Sequence, residues 1–112
     1  MSRFAKTPKP PYYVVTFSSQ RHGGDNGYDA TAQRMAELAA TMPGYLGMES
    51  TKDAQGFGIT LAFFDTAENI ANWKRQSEHL AAQERGRKDW YAHYELRVAK
   101  VERAYGFVAK KT

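Results

Sequence analysis

The chain has 112 residues and no cysteine, which suits one domain around one core and leaves neither a disulfide framework nor a thiolate metal site. A hydrophobic content of 42% with 13% aromatics argues against disorder. The net charge of +4 sits at the ends, in Arg3, Lys6, Lys9, Lys110 and Lys111; the body between them holds 11 basic and 12 acidic residues, which speaks against a nucleic-acid partner.

Residues 1–11 carry Pro8, Pro10 and Pro11 and read as an extended basic lead-in. They hold no apolar core of signal-peptide length, and the longest nearly apolar run, "GITLAFF", falls far short of the ~18 residues of a membrane span. A soluble cytoplasmic protein without a membrane partner is expected, and the absence of Cys permits a reducing compartment. "YYVVTFSSQ" (12–20), rich in β-branched and aromatic residues, predicts a strand. "RHGGDNG" (21–27) predicts a loop, in which His22 reads as solvent-exposed.

From Tyr28 to about Thr41, Ala32, Met35, Ala36 and Ala39 recur at helical spacing, and Pro43-Gly44 stops the helix. "YLGMESTK" (45–52) and "FGITLAFF" (57–64) predict two strands joined by a "DAQG" hairpin turn (53–56). Asp65 followed by Glu68 resembles a capping box, so one helix is expected to run from there to about Arg85, with Gly86 as its stop. "GRKDWYA" reads as a turn or short helix, "HYELRVAKVERAY" (93–105) as the last strand, and 108–112 as a basic tail.

The order β-α-β-β-α-β predicts an α+β, ferredoxin-like fold: a four-stranded antiparallel sheet with two helices on one face. In the first strand Tyr13, Val15 and Phe17 point one way, and Tyr12 and Val14 the other. In the third, Phe57, Ile59, Leu61 and Phe63 share a face opposite Ala62 and Phe64. Both faces are apolar and the helices cover one, so a homodimer through the sheet faces is expected.

Drawn as one continuous helix, residues 66–85 place Lys74, Arg75, Glu78 and Arg85 on one side. Asn69, Trp73, Gln76 and Leu80 stand opposite, with Gln83 close by and His79 on the flank. Three amides then lie one above another on the buried side, where each unsatisfied polar group costs ~1–3 kcal/mol. A pocket holding a polar ligand or water resolves that conflict. Tyr13, Phe17, Phe63 and Tyr94 read as core aromatics able to line the same cavity. His93, Glu95 and Arg97 share a strand face and read as an ion pair rather than as catalytic groups. The three histidines are scattered without an H-x-x-x-H or carboxylate cluster, so no metal site is expected.

"PGYLGMES", a strand ending in aromatics, "AENIANWK…EH…AQ", "GRKDWYAHY" and "VERAYGF", in that order, make the body (12–107) similar to the antibiotic biosynthesis monooxygenase superfamily. The resemblance implies a homodimeric α+β barrel with a ligand pocket between helices and sheet. For its polyketide-tailoring members it implies oxidation of anthrone-type aromatics to quinones by O2, with neither metal nor flavin. Those members use an Asn, a Trp four residues later and a Tyr six beyond that. Here the spacing gives Asn69, Trp73 and His79, a departure at the third position.

Carried over, the resemblance implies a cofactor-independent monooxygenase acting on an electron-rich aromatic. His79 is then the base, Asn69 binds an oxyanion and Trp73 orients the rings, with Gln76, Gln83, Tyr13, Phe17, Phe63 and Tyr94 around the substrate. Two alternatives stay open. One is a dimeric small-molecule binding or stress-response protein on the same fold. The other is haem degradation, although the iron-binding His of that branch corresponds to Gln83, a poor iron ligand.

Overall fold

The computed structural model describes residues 3–110. Its elements are β1 (Tyr12–Arg21), α1 (Tyr28–Ala39), β2 (Tyr45–Lys52), β3 (Phe57–Phe64), α2 (Ala67–Arg75), α3 (Ser77–Arg85), a π-helical turn (Gly86–Trp90) and β4 (Tyr91–Val101). The strands form one antiparallel sheet in the order β2-β3-β1-β4, the expected ferredoxin-like arrangement.

Register decides what each face carries. Tyr13 lies opposite Phe64, Val15 opposite Ala62, Phe17 opposite Thr60 and Ser19 opposite Gly58, so these side chains share one face. Phe64 and Ala62 pack there against Ala39 of α1 and Ile70 and Trp73 of α2, with Tyr13, Val15, Met35 and Tyr45 around them. Phe64 is fully buried, a contribution of about 1.5–3 kcal/mol from one side chain. The other face carries Tyr12, which is buried at 4% exposure, and half-buried Val14, Leu61 and Phe63. No helix among the described residues covers it, and towards the hairpin Phe57 and Ile59 are 43% and 38% exposed. The lead-in reaches this face at the β2 edge, where Ala5 N–H donates to Glu49 Oε2 (2.9 Å) and Ala5 sits against Gly47.

Three boundaries differ from the sequence expectation. The cap of α2 is Thr66, whose Oγ1 accepts from Asn69 N–H (3.0 Å); Asp65 instead accepts from the Asn69 side chain (2.8 Å). The expected single helix is broken at Gln76, whose backbone turns out to φ −57°, ψ 129°. The last strand begins at Tyr91 and ends at Val101, because β1, its one partner among the described residues, starts at Tyr12 opposite Val101. Beyond it, residues 102–110 continue without regular structure, with Tyr105 and Phe107 88% and 89% exposed. Residues 1, 2, 111 and 112, Lys111 among them, lie outside the described residues.

Gly44 joins α1 to β2 with φ +79°, and a Cβ there would collide with Asp65 Oδ1 and Asn69 Nδ2. The left-handed backbone alone costs a non-glycine residue ~1–2 kcal/mol. Gly44→Ala should therefore lower stability by at least about 2 kcal/mol in urea unfolding. An unchanged midpoint would contradict this packing.

Candidate active site

The break at Gln76 is written in local electrostatics. Lys74 and Arg75 close α2 and Glu78 opens α3, each matching the partial charge of its helix end. Gln76 then caps α3 with its side chain: Oε1 accepts from His79 N–H (2.9 Å). Carbonyls in the last turn of α2 are left for other donors. His79 Nδ1 lies 2.9 Å from Trp73 O, and Gln83 Nε2 lies 3.3 Å from Lys74 O. This back-folding lays the imidazole on the indole, with centroids 3.9 Å apart and planes at 13°. Six residues of unbroken helix would separate the two Cα atoms by about 9 Å along the axis, so the stack exists only because the helix breaks.

Two contacts meet at His79 Nδ1, Trp73 O at 2.9 Å and the Gln83 Nε2 donor at 3.3 Å, and the shorter one selects the tautomer. A carbonyl only accepts, so Nδ1 carries the proton and neutral His79 keeps its lone pair on Nε2. Nε2 has no hydrogen-bond partner among the described residues. Burial pushes the His79 pKa below 6.5, outweighing the opposite effect of the Trp73 carbonyl, so the ring is neutral at pH 7. His79 thus lies on a buried aromatic core rather than on a solvated flank. Trp73 itself is 7% exposed.

The other expected site residues separate into groups. Asn69 donates to Asp65 Oδ1 (2.8 Å) and accepts from Asn72 Nδ2 (3.2 Å), so both ends of its amide hold the start of α2. Gln76 and Gln83 are spent on the break. The anticipated ladder of three inward amides is therefore absent, and Leu80, drawn inward on the wheel, is 47% exposed. Tyr13 borders the Trp73 core. Phe17 and Tyr94 belong to a second aromatic group, with centroids 5.1 Å apart and Tyr91 5.4 Å from Phe17. Phe63 stands on the open face beside Tyr12, at 6.0 Å, away from Trp73.

His22 is exposed in its loop. His93 pairs with Glu95 along β4 at 2.6 Å, and this contact holds the Glu95 carboxyl below its ordinary range. Among the described residues no three His, Asp or Glu side chains converge to hold a metal ion.

Sequence reasoning missed a cleft of about 340 Å³ between α1 and α3, lined in part by Ala30, Met35, Ala81, Ala82 and Trp90. Asn69, Trp73 and His79 do not line it, but Met35 does, and Met35 also packs on the core that contains Trp73. Arg34 and Glu78 bridge the two helices at this cleft, Nε to Oε2 at 2.7 Å and Nη2 to Oε1 at 3.1 Å. The one signal for it was the run of small residues at positions 30, 81 and 82. At its end Trp90 Nε1 and Arg85 Nη2 both donate to Asn26 O (3.0 Å each) and pin the 22–27 loop.

The depressed pKa of His79 makes stability depend on pH. Above pH 6.5 folded and unfolded chains both hold the ring neutral, and its contribution is complete; as pH falls from 6.5 to the lower folded value the unfolded chain takes up the proton first, and that contribution is lost. Urea unfolding at pH 7.5 and pH 5 should therefore show a smaller acid loss in His79→Gln than in the parent. Equal losses in the two proteins would contradict a buried neutral ring.

The antibiotic biosynthesis monooxygenase family model matches residues 11–85. Over 103 residues the chain is 50% identical to YqjZ of Bacillus subtilis (strain 168), an uncharacterized protein, across 92% of this chain and 90% of that one. Its fold is similar to that of SnoaB, a cofactor-independent oxygenase from Streptomyces nogalater, with TM-score 0.69 and 14% identity over 92% of this chain and 97% of the other. Protein SO0527 from Shewanella oneidensis gives TM-score 0.72 at 7% identity over 81% and 91%. Those two likenesses carry the fold alone. The family match over most of the length, with a half-identical relative along nearly all of it, places this chain in the antibiotic biosynthesis monooxygenase family.

Proposed function

We propose that the protein is a cofactor-independent monooxygenase that oxidises a hydroxylated, electron-rich aromatic with O2, with His79 as the base and Trp73 as its aromatic support. The observation that carries this reading is the stacked, neutral imidazole whose Nε2 has no partner among the described residues. Membership of the family and the fold shared with a cofactor-independent oxygenase support it.

The substrate meets the protein at Nε2 of His79. The α1/α3 cleft, which His79 does not line, connects to this place only through Met35, which touches the Trp73 core. Nε2 removes a proton from an activated CH. The carbanion passes one electron to O2, the two radicals combine to a peroxide, and the imidazolium returns the proton. Loss of water leaves the carbonyl of a quinone, so one CH2 and one O2 give one C=O and one H2O. Asn69 is a positioning residue here, since Asp65 and Asn72 engage its amide.

No cofactor takes part in this scheme. Haem binding is disfavoured because the amide of Gln83, at the corresponding ligand position, is turned to Lys74 O. The reading includes a cytoplasmic homodimer, supported by exposed Phe57 and Ile59 on the open sheet face and by Tyr105 and Phe107 beyond β4.

O2 uptake by metal-stripped protein should appear with anthrones or naphthols. His79→Gln should cut kcat by about 10²–10⁴ and abolish the acidic limb of the kcat/KM profile. Full activity in His79→Gln would remove the base assignment, and no uptake across a broad aromatic panel would return the protein to non-catalytic binding. Light scattering at micromolar concentration should give a dimer; a monomer would defeat the open-face argument.

A further inference from the structure

We propose that a second cleft, at the hairpin end of the sheet, binds a small oxyanion: the carboxylate or phosphate group of a ligand. The site does not depend on the oxidation chemistry and lies at the far end of β1 from Tyr13. It has a volume of about 300 Å³ and is lined chiefly by Ser19, Arg21, Tyr28, Lys52, Asp53 and Gly58.

Register builds it. Lys52, Gly58 and Ser19 are direct neighbours across β2, β3 and β1, on the face that the helices cover further along. The missing side chain at Gly58 opens the space between the other two. Its backbone does not demand glycine: φ is not in the left-handed region, and a Cβ would make only ordinary contacts, 3.4 Å to Thr51 O and 3.5 Å to Lys52 Cβ.

The polar groups around this gap hold unused donors. Ser19 is buried, at 6% exposure, and its hydroxyl has no hydrogen-bond partner among the described residues. The Arg21 guanidinium carbon sits over the Tyr28 ring, 3.7 Å from its centroid, with Nη2 donating to Gly24 O (3.0 Å) and Asp25 O (3.4 Å). Its Nε is the one buried side-chain nitrogen or oxygen among the described residues without a partner. Lys52 has only a loose pairing with Asp29, at 3.9 Å between two well-exposed groups.

The nearby acids are partly committed: Asp29 faces Lys52 at 3.9 Å, and Asp53 lines the cleft with one oxygen engaged. Asp53 Oδ1 accepts from Gln55 N–H and Phe57 N–H in the hairpin, and the Asp25 carboxylate accepts from Gly27 N–H and Asp29 N–H. The cleft therefore combines two cations, a hydroxyl without a partner among the described residues and an aromatic wall with one lining carboxylate, that of Asp53, so its donors outnumber its acceptors. An oxyanion supplies the missing acceptors, and a guanidinium backed by an aromatic ring is suited to receive it.

The test is a titration of the ¹⁵N-labelled full chain at constant ionic strength with sodium benzoate, inorganic phosphate and, as control, chloride. Saturable shifts of the Ser19, Lys52 and Gly58 amides are expected with benzoate or phosphate, and which of them binds identifies the source of the oxyanion. Lys52→Gln should weaken binding at least tenfold, and Gly58→Val, which fills the gap, should abolish it. Lys52 is exposed, so its variant remains informative even where Gly58→Val disturbs the strand. Absence of saturation with both anions, equal shifts with chloride, or binding unchanged in Lys52→Gln would overturn the proposal.

Discussion

The carbonyls of Trp73 and Lys74 end α2; Gln76 N–H reaches Trp73 O at 3.2 Å, and the side chains of His79 and Gln83 fold back to add a second contact to Trp73 O and one to Lys74 O. Each such hydrogen bond stabilises by only about 0.5–1.5 kcal/mol net, but a buried carbonyl left unpaired costs more. The chain thus turns at Gln76 and re-enters a helix at once, capped by the side chain of Gln76 itself. Everything chemical about His79 follows from that turn: contact with the indole, burial of the ring, the proton on Nδ1 and the lone pair on Nε2.

The rest of the fold holds the two sides of this turn in place. Trp73 is anchored by Phe64 and Ala62 of the central strand β3 and by Ala39 of α1. The start of α2 is fixed against the Gly44 turn through Asp65 and Asn69. On the far side, α3 runs into the π-helical turn, and Trp90 and Arg85 tie that region to the loop before α1. The α1/α3 cleft lies between these two anchors, with an ion pair across it. The second cleft belongs to the same architecture, since Tyr28, which carries the Arg21 guanidinium, also meets Trp90 edge-on at 5.4 Å.

Much of this was legible in the sequence because alternation and helical spacing are strong signals. The strand order, the hairpin at 53–56 and the two-sided apolar sheet follow from positions such as Tyr13, Val15, Ala62 and Phe64. The break at Gln76 was not read, because neither Gly nor Pro marks it. Its traces were indirect: basic Lys74 and Arg75 followed by acidic Glu78, and a continuous wheel that buried three amides without partners. That conflict is resolved by breaking the helix, and the ligand invoked to satisfy the amides is not needed for them.

The pairing of His79 with Trp73 was out of reach for the same reason, since residues six apart do not meet on one helix. Phe63 was assigned to the cavity by residue type, whereas register sends it to the open face. Both clefts are spaces left by small residues, Ala81 and Ala82 in one and Gly58 in the other, and a missing side chain carries no pattern of its own.

Because the imidazole's tautomer and charge depend on the turn at Gln76, long-range ¹H–¹⁵N NMR of the histidine side chains measures it directly. His79 should appear as the Nδ1-protonated neutral tautomer at pH 7 and titrate below 6.5. An Nε2-protonated ring, or a pKa at or above 6.5, would mean that the stack on Trp73 does not hold a neutral base.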